Sequence, residues 1–196
     1  MQVSIFPEDH QDSSPLYLVG GWEQYEDVTA RVDLSYRQSK LLVSFTVSEP
    51  ELRCEVHGTN GPVCEDSCVE VFLKKAEGDD YVNIEASASG ALHVATGPDR
   101  HHRRFLDPAL IRRIPLEVQV KEHDPRKAVW VLKEELDLAM LGLVAPGTEL
   151  KGMHLKGNFY TCGDKFQRPI WLLWNPVNSP KPDFHRPECF GDLYFI

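Results

Sequence analysis

Apolar and polar positions alternate with a period of two through much of this chain. Ala30, Val32, Leu34 and Tyr36 alternate with Arg31, Asp33, Ser35 and Arg37. After the polar turn Gln38-Ser39-Lys40, Leu41, Val43, Phe45 and Val47 alternate with Leu42, Ser44, Thr46 and Ser48. One apolar face at that period marks a half-buried antiparallel strand, so the segment predicts a hairpin over 30–47. The stretch from Glu49 to Pro62 carries Pro50, Gly58, Gly61 and Pro62 and predicts a loop. A central strand follows over 68–74, with Val69, Val71 and Leu73 on one face and Cys68, Glu70 and Phe72 on the other. In 81–87, Val82, Ile84 and Ala86 face inward, whereas Tyr81, Asn83 and Glu85 face the other way. Ser89-Gly90 supplies a tight turn into Leu92, Val94 and Thr96. If these consecutive strands are neighbours, Glu70, Asn83 and Glu85 decorate one surface, subject to register.

The second half is less regular. Pro98 to Arg113, PDRHHRRFLDPALIRR, predicts a polar, basic loop. Its His101-His102 pair is a candidate metal ligand or a solvated segment, and its arginines could meet acidic sugars or the protein's own acidic surface. Leu116, Val118 and Val120 predict a strand, as does Val129 to Leu132. Lys133 to Leu143 places Leu136, Met140 and Leu143 at helical spacing and predicts the one short helix. Strands are predicted again over 150–161, 171–174 and 193–196. About ten short strands at the spacing of sandwich proteins predict an all-β fold. It is an antiparallel two-sheet β-sandwich, immunoglobulin-like or jelly-roll-like, with residues 1–196 as a single domain.

The stretch WNPVNSPKPDFHRPECFGDLYFI, from Trp174 to Ile196, stands apart. It holds Pro176, Pro180, Pro182 and Pro187, four of the chain's 14 prolines. Proline fixes φ and withdraws a backbone donor, so the run cannot be helix or a central strand. It predicts a stiff loop presenting Trp174, Asn175, Asp183, Phe184, His185 and Arg186 beside a last strand. A rigid loop with rings and hydrogen-bonding groups beside a scaffold strand suits a small polar ligand. A loop that only packs its rings onto the end of the domain is the alternative.

Composition narrows the class. The net charge of -9 over 196 residues disfavours a general binder of nucleic acid or anionic membrane. No apolar run approaches the roughly eighteen residues of a membrane span. The N-terminus lacks the basic and apolar regions of a signal peptide. The five cysteines, Cys54, Cys64, Cys68, Cys162 and Cys189, form no CxxC and read as reduced, packed thiols, with one disulfide open if the protein is exported. Motifs of the GxSxG, SxxK, HExxH, P-loop and GxGxxG types are absent. Glu70 and Glu85 could stand across neighbouring strands as a glycosidase pair, although with 30 Asp and Glu in the chain two on one face are expected by chance.

Three blocks carry a family resemblance, and they occur in the family's order. WNP with PKPDFHRPE and a terminal strand, EDSCVEVFL at 65–73, and GNFYTCGD at 157–164 resemble the carbohydrate-binding module family 9-like domains over about 15–196. The resemblance implies a sandwich that binds oligo- or polysaccharide, chain ends included. In the family two tryptophans sandwich a sugar, and charged and amide groups complete the site. It carries over Glu70 as a hydrogen-bonding carboxylate, with Asn83 and Glu85 as polar groups of the sheet face. The two tryptophan positions fall on Cys64 and Phe184, so Trp22, Tyr160, Trp171 and Trp174 are the other rings that could offer a platform. Calcium held by loop carboxylates is open, although no DxDxDG-like run is present; no other cofactor is implied.

The expected function is therefore non-catalytic carbohydrate binding through Glu70, Asn83, Glu85, Trp174, Asn175, Phe184, His185 and Arg186. A structural or protein-interaction module without a sugar site is the alternative, and a glycan-processing enzyme is a third. An acidic chain with reduced thiols and no leader points to the cytoplasm, whereas the family's polysaccharide substrates point outside the cell.

Overall fold

The computed structural model describes residues 1–10 and 14–196. Its strands are β1 (Gln2–Pro7), β2 (Leu16–Gly20), β3 (Thr29–Arg37), β4 (Lys40–Glu49), β5 (Cys68–Lys75), β6 (Tyr81–Ser87), β7 (Leu92–Gly97), β8 (Arg104–Phe105), β9 (Leu116–Asp124), β10 (Lys127–Asp137), β11 (His154–Gly163), β12 (Ile170–Leu173) and β13 (Gly191–Phe195). One sheet runs β8-β7-β6-β5-β11, and the other runs β2-β3-β4-β10-β9. Strand β11 divides its partner edge: Tyr160–Gly163 pairs with β12, and His154–Gly157 pairs with β13. β12 pairs onward with β2, while β1 lies parallel to both β13 and β3. The two layers are thus stitched along one side, and the remaining pairings are antiparallel.

The expected hairpin is β3-β4, with Leu34 opposite Val43 and Val32 opposite Phe45. The expected helix over 133–143 is not present. Lys127–Asp137 is a strand throughout, and the alternation carries Trp130, Leu132, Glu134 and Leu136 inward. Its backbone pairs with β4 on one side and β9 on the other. Two flanking ladders outweigh the weak local helix preference of KEELDLAML. Leu138 to Val144 then forms turns, so the helical spacing of Leu136, Met140 and Leu143 was a coincidence of strand end and turn.

The one α-helix among the described residues, α1 (Pro108–Ile111), lies in the stretch expected to be loop. Asp107 caps it by accepting from the Ala109 amide at 2.7 Å, and Pro108 occupies the first turn, where its missing N–H costs nothing. That stretch also holds β8. Strands β1 and β2 had no counterpart in the sequence reading, because each is short and offers only two inward apolar residues.

The core between the sheets is mainly Val, Leu and Ile, with Phe45, Trp130, Phe159 and Phe195 fully enclosed among them. Each contributes roughly 1.5–3 kcal/mol by leaving water. Two carboxylates share it. Glu49 accepts from Trp130 Nε1 at 2.8 Å, yet its Oε2 has no partner. Glu134 is buried opposite Val43 and Leu116, and its Oε2 is also unpartnered. Burial pushes Glu49 up to about 7 and Glu134 up to about 8. Among the described residues no helix is long and apolar enough to cross a membrane.

Glu134 generates a pH prediction. Above its ordinary value of 4.5 the unfolded carboxyl ionises while the folded one keeps its proton until about 8. The native state then binds more protons than the unfolded state, so stability must fall as pH rises through that window. Urea unfolding at pH 5 and pH 8 should show Glu134→Gln losing much of this decline, a difference on the order of 4 kcal/mol. Identical pH profiles for mutant and wild type would show that Glu134 ionises freely.

Candidate functional site

The face of the β5-β6-β11 sheet that turns away from the core has a second, smaller interior. It consists of Val63, Cys68, Phe72, Tyr81, Tyr160, Cys162, Leu173, Phe184 and Phe190, with Ala91 at its margin. The proline-rich loop after β12 covers it. Asn158, fully buried in β11, holds that loop by its backbone: Asn158 Nδ2 donates to the Asn175 carbonyl at 2.8 Å, and the Asn175 amide donates back to Asn158 Oδ1 at 2.9 Å. Farther along, Tyr160 Oη donates to the Phe184 carbonyl at 3.2 Å, and the two rings stack at 4.1 Å and 16°. Tyr81 Oη pairs with His185 Nδ1 at 2.7 Å.

Strand register decides what lies beneath the loop. Glu70 stands directly opposite Glu85 on one side and Tyr160 on the other, and Phe72 stands opposite Asn83. Even positions of β5 and odd positions of β6 therefore share this face, as the alternation predicted. Glu70 and Glu85 form the floor of a small hollow with Cys162, and Cys64, Asp164, Trp171, Arg100, Pro182, Asp183, Phe184 and His185 line the rest. Its volume is about 80 Å³.

The floor is acidic but held against ionisation. Burial raises Glu70 well above the usual carboxylate range, and the neighbouring Glu85 raises it further. Burial raises Glu85 as well, opposed by His93 and by the hydrogen bond from Asn83. The Cys162 thiol donates to Glu70 Oε1 at 3.1 Å, and Asn83 Nδ2 donates to Glu85 Oε1 at 2.7 Å. A carboxyl held in its protonated form can donate as well as accept toward a ligand. The loop side carries Asp183, which accepts from Arg100 Nη1 at 3.3 Å and from the His185 amide at 3.2 Å. Burial, with Arg100 and Arg103 nearby, lowers His185 to about 4.

The expected site residues divide. Glu70, Glu85, Phe184 and His185 line the hollow, and Asn83 braces Glu85 from beside it. Trp174 lies between the sheets, packed on Phe159 at 5.8 Å and only 5% exposed. Parity explains this placement: Ile170, Leu172 and Trp174 face the core, whereas Trp171 and Leu173 face the loop. Asn175 is a fastener; its Oδ1 accepts from the N-terminal amine at 2.6 Å and its Nδ2 donates to the Cys189 carbonyl at 2.6 Å. Arg186 turns outward to Glu188 at 2.6 Å. Phe184 is 8% exposed, with one face on Tyr160 and Trp22 tilted beside it at 5.9 Å. Trp171, half-buried and oriented by Nε1 donating to Asp164 at 2.8 Å, is the ring on the wall.

Arg103 was hidden in the basic stretch. Its guanidinium lies over the Tyr81 ring at 4.1 Å and donates to Asn83 Oδ1 and to the Gly97 and Ala95 carbonyls. The basic segment thus meets the protein's own polar surface. His101 and His102 are exposed, and His102 pairs with Asp99. All five cysteines are free. Two sulfurs and one carboxylate oxygen, from Cys68, Cys162 and Glu70, converge within 4.8 Å. Calcium takes six to eight oxygens and does not fit that donor set.

Comparisons agree with this architecture. A family model for carbohydrate-binding family 9 matches residues 16–195. No curated protein matches the chain. A solved candidate carbohydrate-binding protein from Bacteroides uniformis ATCC 8492 aligns over 100% of this chain and 99% of its own, with a TM-score of 0.85 at 24% identity. A family 9 carbohydrate-binding module from Caldicellulosiruptor kristjanssonii in complex with cellotriose aligns over 100% and 93%, with a TM-score of 0.62 at 12% identity. The module from that organism in complex with glucose aligns over 100% and 96%, with a TM-score of 0.61 at 12% identity. Likeness at these identities shows a shared fold.

His185 offers a direct check of the loop's closure. An NMR titration of its ring should find it neutral from pH 8 to below 5, with a midpoint of about 4. An ordinary midpoint near 6.5 would mean that the loop stands open to water at Tyr81.

Proposed function

The chain belongs to carbohydrate-binding family 9, and from that premise we propose that it is a single non-catalytic domain that grips the end of a glycan chain in the hollow over Glu70 and Glu85. The observation that carries the reading is the convergence there of paired carboxyls, a neutral imidazole, Asp183 and the Trp171 ring. Sugars offer hydroxyls that donate and accept around the rim and an apolar face for a ring. At about 80 Å³ the hollow is far below the roughly 300–1,000 Å³ of pockets that engulf a ligand. It suits one edge of a terminal residue, with the rest of the chain outside.

Glu70 and Glu85 sit side by side on one sheet face, braced by Cys162 and Asn83. A glycosidase instead places its acid and its nucleophile or base on either side of the scissile bond. The arrangement therefore favours binding over hydrolysis. The glucose and cellotriose complexes of the Caldicellulosiruptor kristjanssonii modules make β-glucan ends the first ligands to try.

A glycan-array screen followed by calorimetry tests the proposal. Binding should require a free chain end, and Trp171→Ala should weaken it by roughly 1–3 kcal/mol. Glu70→Gln keeps the shape of the floor but removes its carboxyl and should cost a comparable amount. Trp174→Phe, behind the sheet, should alter stability and leave affinity unchanged. A folded wild type that ignores every neutral and acidic oligosaccharide would overturn the proposal, as would undiminished affinity in Trp171→Ala.

A further inference from the structure

At the floor of the hollow Glu70 and Cys162 belong to a second arrangement, with Cys68, whose two thiols the sugar reading leaves without a role. Cys68 and Cys162 are directly opposed residues of β5 and β11, and Glu70 is two residues from Cys68 on the same face. Two neighbouring antiparallel strands therefore aim two thiols and a carboxylate at one point. Their donor atoms all lie within 4.8 Å of one another, and the Cys162 sulfur is 3.1 Å from Glu70 Oε1. The ligand atoms of a tetrahedral zinc stand roughly 3.3–3.8 Å apart, from Zn–S of about 2.3 Å and Zn–O of about 2.1 Å. Small side-chain adjustments join the two geometries.

All three groups are buried, and they sit on rigid strands in the middle of a sheet. Strand-borne ligands of this kind need little ordering on binding. The hollow gives an entry path, since Glu70 and Cys162 line it together with Cys64. Arg100, which lines the hollow, pairs with Asp183, and Arg103, outside the lining, is held by Asn83 and backbone carbonyls. The Glu85 carboxyl and Asp164 stand nearby.

We propose that Cys68, Cys162 and Glu70 form a binding site for a thiophilic divalent cation of the zinc class. The fourth position faces the hollow, where the Cys64 thiol or a water can complete it. Binding releases the two thiol protons, and the carboxyl proton where present, to solvent, so affinity rises with pH. Two sulfurs and one oxygen select a borderline or soft ion over calcium or magnesium. The site does not depend on a glycan, and its test contains none.

Reduced, chelator-treated protein is titrated with Cd²⁺, whose bonds to thiolate absorb in the ultraviolet. One equivalent should give the thiolate-to-cadmium band, which a large excess of Zn²⁺ should bleach by competition and Ca²⁺ should leave intact. Glu70→Gln should weaken Cd²⁺ binding roughly tenfold or more, as loss of a ligand or its support does. Cys68→Ala and Cys162→Ser should lose the band, whereas Cys189→Ser should keep it. X-ray absorption at the cadmium edge of the wild type should find two sulfur neighbours with oxygen, or three when Cys64 joins. That measurement needs no variant to fold. A spectrum with only oxygen and nitrogen neighbours, no band in folded wild type, or a full band in the Cys68 and Cys162 variants would overturn the proposal.

Discussion

The site depends on one buried amide. Asn158 lies in β11 at the place where that strand passes its partner edge from β13 to β12, and there it meets the first residues of the proline-rich loop. By satisfying both the N–H and the C=O of Asn175 it replaces the strand pairing that the loop lacks. Buried backbone groups left unpaired would cost more than such a bond contributes, so the loop cannot leave this position cheaply. The prolines downstream remove donors that would otherwise need partners and limit how far the chain can stray. The loop consequently arrives over Tyr160 and Tyr81 with Phe184 and His185 in fixed places, and the hollow exists because of that arrival.

The sheet beneath contributes parity. In β5 the odd residues Val69, Val71 and Leu73 fill the main core, and the even residues Cys68, Glu70 and Phe72 fill the loop side. A slip of one residue would put Glu70 between the sheets and a valine under the loop, which both interiors oppose. The strand is buried on both faces, so its carboxylate has a position that no surface residue could hold. The cost of burying it is met in part by the Cys162 thiol, and that of its neighbour Glu85 by the Asn83 amide. Arg103, just before β8, stacks on Tyr81 and holds the Asn83 amide in turn, so the polar floor is braced by a protein side chain rather than by solvent.

Most of this was legible wherever alternation was clean. The β3-β4 hairpin, the shared face of Glu70, Asn83 and Glu85, and the irregular proline loop follow from period and proline chemistry alone. The failures share a cause, which is that local signals do not report partners. The KEELDLAML segment has helix-forming residues, but the ladders on both flanks that keep it extended are set by residues far away in sequence. Strands β1 and β2 exist because β13, β3 and β12 offer edges to them, not because their own residues insist. At the site, Trp174 and Asn175 adjoin the right prolines yet serve the core and the loop's anchorage. The signal that could have separated them was available: Trp171 and Trp174 differ by three in a strand and must face opposite ways. Arg103 could not have been picked out among six basic neighbours, since its role is defined only by the ring and amide it meets.

The ring positions bear on how such a hollow discriminates. The family resemblance puts stacking tryptophans where this chain has Cys64 and Phe184. Phe184 spends one face on Tyr160, and a thiol has no face at all, so Trp171 is left as the principal platform. With less ring area available, selectivity on the proposed function rests on the paired carboxyls, Asp183 and His185. A site built from buried polar groups rejects a ligand lacking the matching hydroxyl more sharply than a hydrophobic wall rejects a poor fit, because each unmatched group stays desolvated and unpaired. On the proposed function, the exchange of two rings for thiol and phenyl trades affinity for stereochemical discrimination among sugar ends. One of the two exchanged positions, Cys64, lines the hollow with Glu70 and Cys162, so the proposed sugar site and the proposed cation site share a wall.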